Sequence, residues 1–83
     1  MSIFNQITKE ARKNPYKISI IINNKKLTYK ELVKEVNLVS NYLSFIKIKP
    51  NDKIGIVENN TLEFVLIYLA VSNIGAQIVP LNT

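Results

Sequence analysis

The last thirty residues, Ile54 to Thr83, contain no lysine or arginine and only two acidic side chains, Glu58 and Glu63. Into this stretch run two short apolar segments, "KIGIV" at 53–57 and "QIVPL" at 77–81, with "LEFVLIYLAVSN" between them. The two segments read as strands. The segment between reads as a helix from about 61 to 73 that is apolar nearly all round, so it must be buried on more than one side. Asn59, Asn60 or Thr61 caps its start, and Glu63 lies in the first turn, where the helix dipole favours negative charge. Gly75 stands where a C-terminal cap is expected. Short loops joining strand, helix and strand predict a right-handed βαβ unit with parallel strands. Nearly continuous apolar strands belong to a sheet covered on both faces. A chain of 83 residues has too few elements to cover it.

The region before this unit supplies its own elements. Residues 2–13 read as a short helix with Ser2 as N-cap and Ile3, Ile7 and Ala11 on one face. Asn14-Pro15 ends it, because the residue before proline is biased out of helical geometry. "KISIII" at 17–22 and "KKLT" at 25–28 read as a β-hairpin whose turn is Asn23-Asn24, since asparagine tolerates the positive φ of tight turns. Thr28-Tyr29-Lys30-Glu31 fits a capping box. Behind it Tyr29, Leu32, Val36, Val39, Leu43 and Ile46 step by three and four residues. Lys30, Lys34, Asn37, Asn41 and Ser44 take the other side, giving an amphipathic helix of roughly 17 residues. Lys49-Pro50-Asn51-Asp52 is a turn. The fold class is therefore α/β: an N-terminal helix, a β-hairpin, a long amphipathic helix and one parallel βαβ unit, forming the partial edge of a larger doubly wound domain. Residues 1–83 are expected to be a single, incomplete N-terminal part of such a domain. No repeat or low-complexity segment interrupts it.

Composition excludes several chemistries. Cysteine and histidine are both absent. The chain therefore lacks disulfides, a thiolate nucleophile, the usual base near neutral pH and the commonest metal ligand. The net charge is +5, and all eleven basic residues lie between Lys9 and Lys53. They are spread over helix faces and turns, often beside Glu or Asn, which reads as a solvated surface and not as a nucleic-acid patch. The longest apolar run, Phe64 to Val71, is far shorter than the roughly 18–20 residues of a membrane span. The N-terminus carries no signal-peptide pattern, so a cytoplasmic location is expected. Glu58 and Glu63 read as a loop charge and a helix-start charge, with nothing placing them in a cleft as an acid/base pair. Tyr29 lies on the apolar seam and Tyr68 in the apolar helix, so core packing is expected of them rather than base stacking.

Four motifs in order carry a resemblance. "LTYKEL" at 27–32 opens the long helix. Lys49-Pro50-Asn51-Asp52 precedes a strand, with Asn51 where Gly is usual. Asn60-Thr61-Leu62-Glu63-Phe64 follows, with Thr61 in place of Ser. Gly75-Ala76, then Val79-Pro80-Leu81-Asn82, close the series, with Asn73-Ile74 before the glycine. From about Ile7 to Thr83 the chain resembles the N-terminal segment of the adenylate-forming (AMP-binding) enzymes: acyl-CoA synthetases, aryl-CoA ligases and peptide-synthetase adenylation domains. The Asn82 ending is more similar to the acyl- or aryl-CoA branch.

The resemblance implies an ATP- and Mg²⁺-dependent ligase. Members convert a carboxylate to an acyl-adenylate and then pass the acyl group to CoA or to a carrier-protein thiol. It also implies that the phosphate loop, the acyl pocket and the catalytic lysine lie beyond the matched region. No residue of this chain is assigned a catalytic, cofactor-binding or metal-binding role. The remainder of a ligase chain is the expected partner, with no nucleic acid and no membrane span. The 83 residues are expected to be inert alone, whether as a truncated product, a piece of a gene or a trimmed chain. Two alternatives stand beside this: an interaction module docking through the apolar 62–81 surface, and a small basic nucleic-acid-binding module.

Overall fold

A computed structural model describes residues 3–57 and 59–81. Its elements are α1 (Ile3–Lys13), β1 (Ile18–Ile22), β2 (Lys25–Thr28), α2 (Tyr29–Phe45), β3 (Lys53–Val57), α3 (Leu62–Asn73) and β4 (Gln77–Leu81). The predicted order is the observed order. β1 and β2 pair antiparallel, and β3 and β4 pair parallel in a separate two-stranded sheet. Ser2, proposed as the first N-cap, lies outside the described residues.

Local chemistry accounts for most boundaries. Asn23 and Asn24 have φ of 50° and 67°, the left-handed pair that a tight hairpin turn needs. At Thr28 the capping box is complete. The Glu31 amide donates to Thr28 Oγ1 at 3.1 Å, and the Thr28 amide donates to Glu31 Oε1 at 2.8 Å. Thr61 is the residue that caps α3, its hydroxyl accepting the Phe64 amide at 3.2 Å. Both long helices end in the same way. After α3, the Ala76 amide donates to the Val71 carbonyl and the Gly75 amide to that of Ser72, both at 3.1 Å, with Gly75 at φ 83°. After α2, the Ile48 amide reaches Leu43 and the Lys47 amide reaches Ser44, both at 3.0 Å, with Lys47 at φ 75°. These are two Schellman closures, one on glycine and one on a lysine that bears the left-handed cost.

The core lies where α1 and the hairpin meet the α2–α3 pair. Phe4, Leu32, Val36, Leu69 and Ala70 are buried, with Ile7, Ile20, Leu27, Val39, Leu43, Val65 and Leu66 packed around them. Leu69, Ala70 and Val71 are buried in succession. Three consecutive residues sweep about 200° of a helix, so α3 is buried on more than one side, as its composition demands.

Two details differ from the periodicity reading, and a third adds to it. The buried residue of α1 is Phe4, while Ile3 is half exposed. The helix turns its larger aromatic inward, and Phe4, Ile7 and Ala11 form the facing row. Tyr68, expected in the core, is 47% exposed. It lies on the flank of α3 against Phe64, with ring centroids 6.3 Å apart. Ser40 is buried on α2 and accepts a hydrogen bond from Asn73 Nδ2 at 3.2 Å, a polar tie between the two helices.

Side chains on β3 alternate between partly covered and exposed, and β4 follows the alternation as far as Val79, Pro80 being exposed. Ile54, Ile56 and Ile78 are partly covered on the α3 side, whereas Lys53, Gly55, Val57, Gln77, Val79 and Leu81 are exposed on the other face. The molecule exposes 5873 Å². A compact monomer of its mass exposes about 5,000 Å², so this chain exposes more than its mass requires.

Three outcomes check this account by urea unfolding. Thr28→Ala is expected to cost about 1 kcal/mol by removing the cap, and Leu32→Ala about 2–5 kcal/mol by opening a cavity in the core. Lys47→Gly is expected to raise stability by about 0.5 kcal/mol, because relief of left-handed strain outweighs the added backbone entropy.

Candidate functional site: capped helix starts, a clasped turn and an open sheet

The motif residues form three structural devices. The first is the start of α2. Besides the capping box, the Tyr29 amide donates to the Lys17 carbonyl and the Lys30 amide to that of Pro15, both at 2.9 Å. The amides of Tyr29, Lys30 and Glu31 therefore all have protein partners. A helix N-terminus binds phosphate only with free amides, and here the chain itself has taken them. The hydrogen bonds from the Thr28 backbone and side chain lower the Glu31 pKa from the ordinary 4.5, and Lys34 adds a smaller push in the same direction.

The second device joins the turn at 49–52 to the end of α3. Asn51 has φ 72° after Pro50, the arrangement of a type II turn. The Asp52 amide donates to the Lys49 carbonyl at 3.1 Å, and Asp52 Oδ2 accepts the Lys49 amide at 2.8 Å. The Asn51 amide then donates to the Gly75 carbonyl at 2.9 Å, and the Gln77 amide to the Asp52 carbonyl at 2.7 Å. The Lys-Pro-Asn-Asp turn and the Gly-Ala motif thus clasp each other and set the first rung of the parallel ladder. A Cβ on Gly75 would meet Pro50 only at ordinary contact, 3.5 Å. The glycine is needed there for its φ and not for space.

The third is the loop before α3, where Thr61 Oγ1 donates to Asn59 Oδ1 at 2.6 Å and Asn23 Nδ2 donates to the Asn60 carbonyl at 2.7 Å. The hairpin tip holds this loop, a long-range contact that the sequence motifs did not reveal. Lys25 adds an exposed pair with Glu63 at 3.7 Å. Glu58 and Asn82 lie outside the described residues, so the geometry of Glu58 with Glu63 is not seen. Among the described residues no three metal-ligating side chains converge.

Concavities on the surface of the described residues include one of about 270 Å³ lined by Ile3, Gln6, Ile7, Glu10 and Tyr29, with Glu10 its one carboxylate, and two that border α3. The first of these two, about 350 Å³, runs along the outer flank of α3 beside β4, lined by Tyr68, Val71, Ser72, Gly75, Ala76, Ile78 and Pro80. It contains no charged side chain. The other, about 290 Å³, is an apolar depression between α2 and α3, with Glu63 at its rim. None of the three gathers the cations, free amides or carboxylates that a nucleotide triphosphate and Mg²⁺ require. The described residues do not fit those groups.

A parallel βαβ unit with its turn and cap motifs intact is a building block of α/β domains. The AMP-binding enzyme family matches residues 7–83, and the chain belongs to that family. It is 32% identical to 2-succinylbenzoate–CoA ligase of Bacillus pumilus over 78 residues, covering 94% of this chain and 16% of that protein. It is also 32% identical to tyrocidine synthase 3 of Brevibacillus parabrevis over 73 residues, 88% of this chain and 1% of that one. Among solved structures it shares the fold of the NpsA N-terminal subdomain of Klebsiella oxytoca. There the TM-score is 0.88 at 23% identity, over 98% of this chain and 21% of that one. The chain thus spans a small part of the length of the relatives it matches. Among the described residues no helix is long and apolar enough to cross a membrane.

Two expectations follow from this geometry. Glu31 is held charged in the folded state at a pKa below its unfolded value. Its stabilising contribution is therefore present above about pH 4.5 and is lost as pH falls through the folded value. Acid titration of unfolding stability should show a steeper loss in the wild type than in Glu31→Gln. At the turn, Asn51→Gly should be neutral or slightly stabilising, while Asn51→Val should cost about 1–2 kcal/mol, the strain of a left-handed β-branched residue.

Proposed function

We propose that residues 1–83 form one incomplete N-terminal part of an ATP-dependent acid:thiol ligase, and that their contribution is architectural. In that enzyme a carboxylate and ATP give an acyl-adenylate, and CoA or a carrier-protein thiol then takes the acyl group. The observation that carries this reading is the fate of the family motifs. Thr28 and Glu31 cap α2, Asn51 and Asp52 build a turn, Thr61 caps α3, and Gly75 closes it. Each of these six residues has a structural partner within the segment. ATP and Mg²⁺ are accordingly assigned to other parts of the ligase, as are the acyl pocket and the thiol acceptor.

A CoA acceptor is favoured over a carrier protein by the Asn82 ending, and the 2-succinylbenzoate–CoA ligase relative supports the same branch. The tyrocidine synthase relative keeps the carrier-protein alternative in view. The 83-residue chain is inert by itself on this reading. ATP–pyrophosphate exchange, run with a panel of aliphatic and aromatic acids, is expected to stay at the no-protein background. Acid-dependent exchange that scales with the concentration of this chain would overturn the reading.

A further inference from the structure

Two amides at the start of α3 bond to one residue. The Phe64 amide donates to Thr61 Oγ1 at 3.2 Å, and the Val65 amide to the Thr61 carbonyl at 3.3 Å. The placement of Thr61 therefore decides how the helix begins. Two asparagine side chains fix that placement. A hydroxyl has one proton to give, and Thr61 gives it to Asn59 Oδ1 at 2.6 Å. This turns a lone pair of Oγ1 towards the Phe64 amide. The second side chain is Asn23, whose Nδ2 donates to the Asn60 carbonyl at 2.7 Å, 37 positions along the chain. That carbonyl and the Thr61 amide share one rigid peptide plane. The bond thus sets the plane from which Thr61 enters its extended cap geometry, with φ −123° and ψ 158°. Asn23 and Asn24, at φ 50° and 67°, are the two central residues of the turn between Ile22 and Lys25. The turn asks both for a positive φ, and it makes no use of the Asn23 side-chain amide. Lys25 and Glu63 pair across the same gap, but both are more than half exposed, so the pair adds little.

We propose that the hairpin tip is a strap on the start of α3. Asn23 holds the peptide between Asn60 and Thr61 in place. When that bond breaks, residues 59–61 and the first turn of α3 open to water while the hairpin and the core stay closed. Asn23 thus has two separable tasks. Its backbone makes the turn, and its side chain makes the strap. Asn24 shares the first task, and no bond ties its side chain to residues 59–61. The strap joins the hairpin to the βαβ unit at a point remote in sequence, and both of its ends lie within the described residues. It stands apart from the ligase reading, because exchange is read with no acid, nucleotide or thiol present.

The test is amide hydrogen exchange on the 83-residue chain, followed by NMR, in the wild type, Asn23→Gly and Asn24→Gly. Glycine takes positive φ readily, so both variants keep the turn and only Asn23→Gly loses the strap. One hydrogen bond of ordinary net strength changes a local opening equilibrium about two- to tenfold. The Phe64 and Val65 amides should exchange faster by that factor in Asn23→Gly and at the wild-type rate in Asn24→Gly. The Ile22 and Lys25 amides beside the turn, and the Val36 amide in the core helix, should keep their wild-type rates in Asn23→Gly and report an intact hairpin and core. Asn23→Asp, which sets a carboxylate in place of the donor, should speed Phe64 and Val65 at least as much. Unchanged exchange at Phe64 and Val65 in Asn23→Gly would overturn the proposal. Equal acceleration in Asn24→Gly would overturn it as well, by placing the effect in the turn. So would an acceleration shared by Val36, which would mean that the start of α3 opens only with the whole fold.

Discussion

The seam between α2 and α3 is the contact on which the other elements rest. Val36 and Ala70 are fully buried there, with Leu32 and Leu69 beside them. Each helix also carries a sheet: α2 follows directly from the hairpin through the Thr28 cap, and α3 is bracketed by β3 and β4. If the seam opened, the hairpin and the parallel pair would lose their common support. A two-stranded sheet is marginal in water unless it packs against a helix. Burial of these side chains supplies the gain, and the Ser40–Asn73 hydrogen bond fixes how the helices are aligned.

The parallel pair has a different status from the hairpin. Its register is set by backbone bonds at one end, where the turn at 49–52 meets Gly75 and Gln77. Only one of its faces is covered. Parallel sheets are ordinarily covered on both, and the exposed Val57, Val79 and Leu81 show what is left bare. The same arrangement explains why family motifs are retained in a region with no converging catalytic groups. They hold β3 and β4 in register, and that is a geometric task for glycine, asparagine, proline and capping side chains.

Much of this was legible in the sequence because the deciding interactions are local. A capping box, an Asn-Asn turn, a glycine after an apolar helix and a proline-led turn each act within about four residues. Where the outcome depends on long-range packing, periodicity fell short. It put Ile3 rather than Phe4 on the inner face of α1, because both fit a helical repeat and only the neighbouring helices distinguish them. It put Tyr68 in the core, because an all-apolar helix gives no direction. Lys47 has no sequence signal at all for its positive φ. On α2 the polar side holds Leu38, Tyr42 and Phe45, all largely exposed. This second apolar row was hidden behind the stronger pattern of the first. The candidate site was legible as motifs, but their mutual clasp and the hold of Asn23 on the Asn60 carbonyl needed coordinates.

The central claim is that these residues shape a ligase domain without themselves holding its nucleotide. Its most direct test is the thermal midpoint of the 83-residue chain with and without saturating Mg²⁺ and ATP. A ligand that binds only the folded state raises stability by about 2.7 kcal/mol at a hundred times its Kd. The account predicts no shift in the midpoint. A saturable rise that requires both the nucleotide and Mg²⁺ would contradict it and place a nucleotide site within this segment.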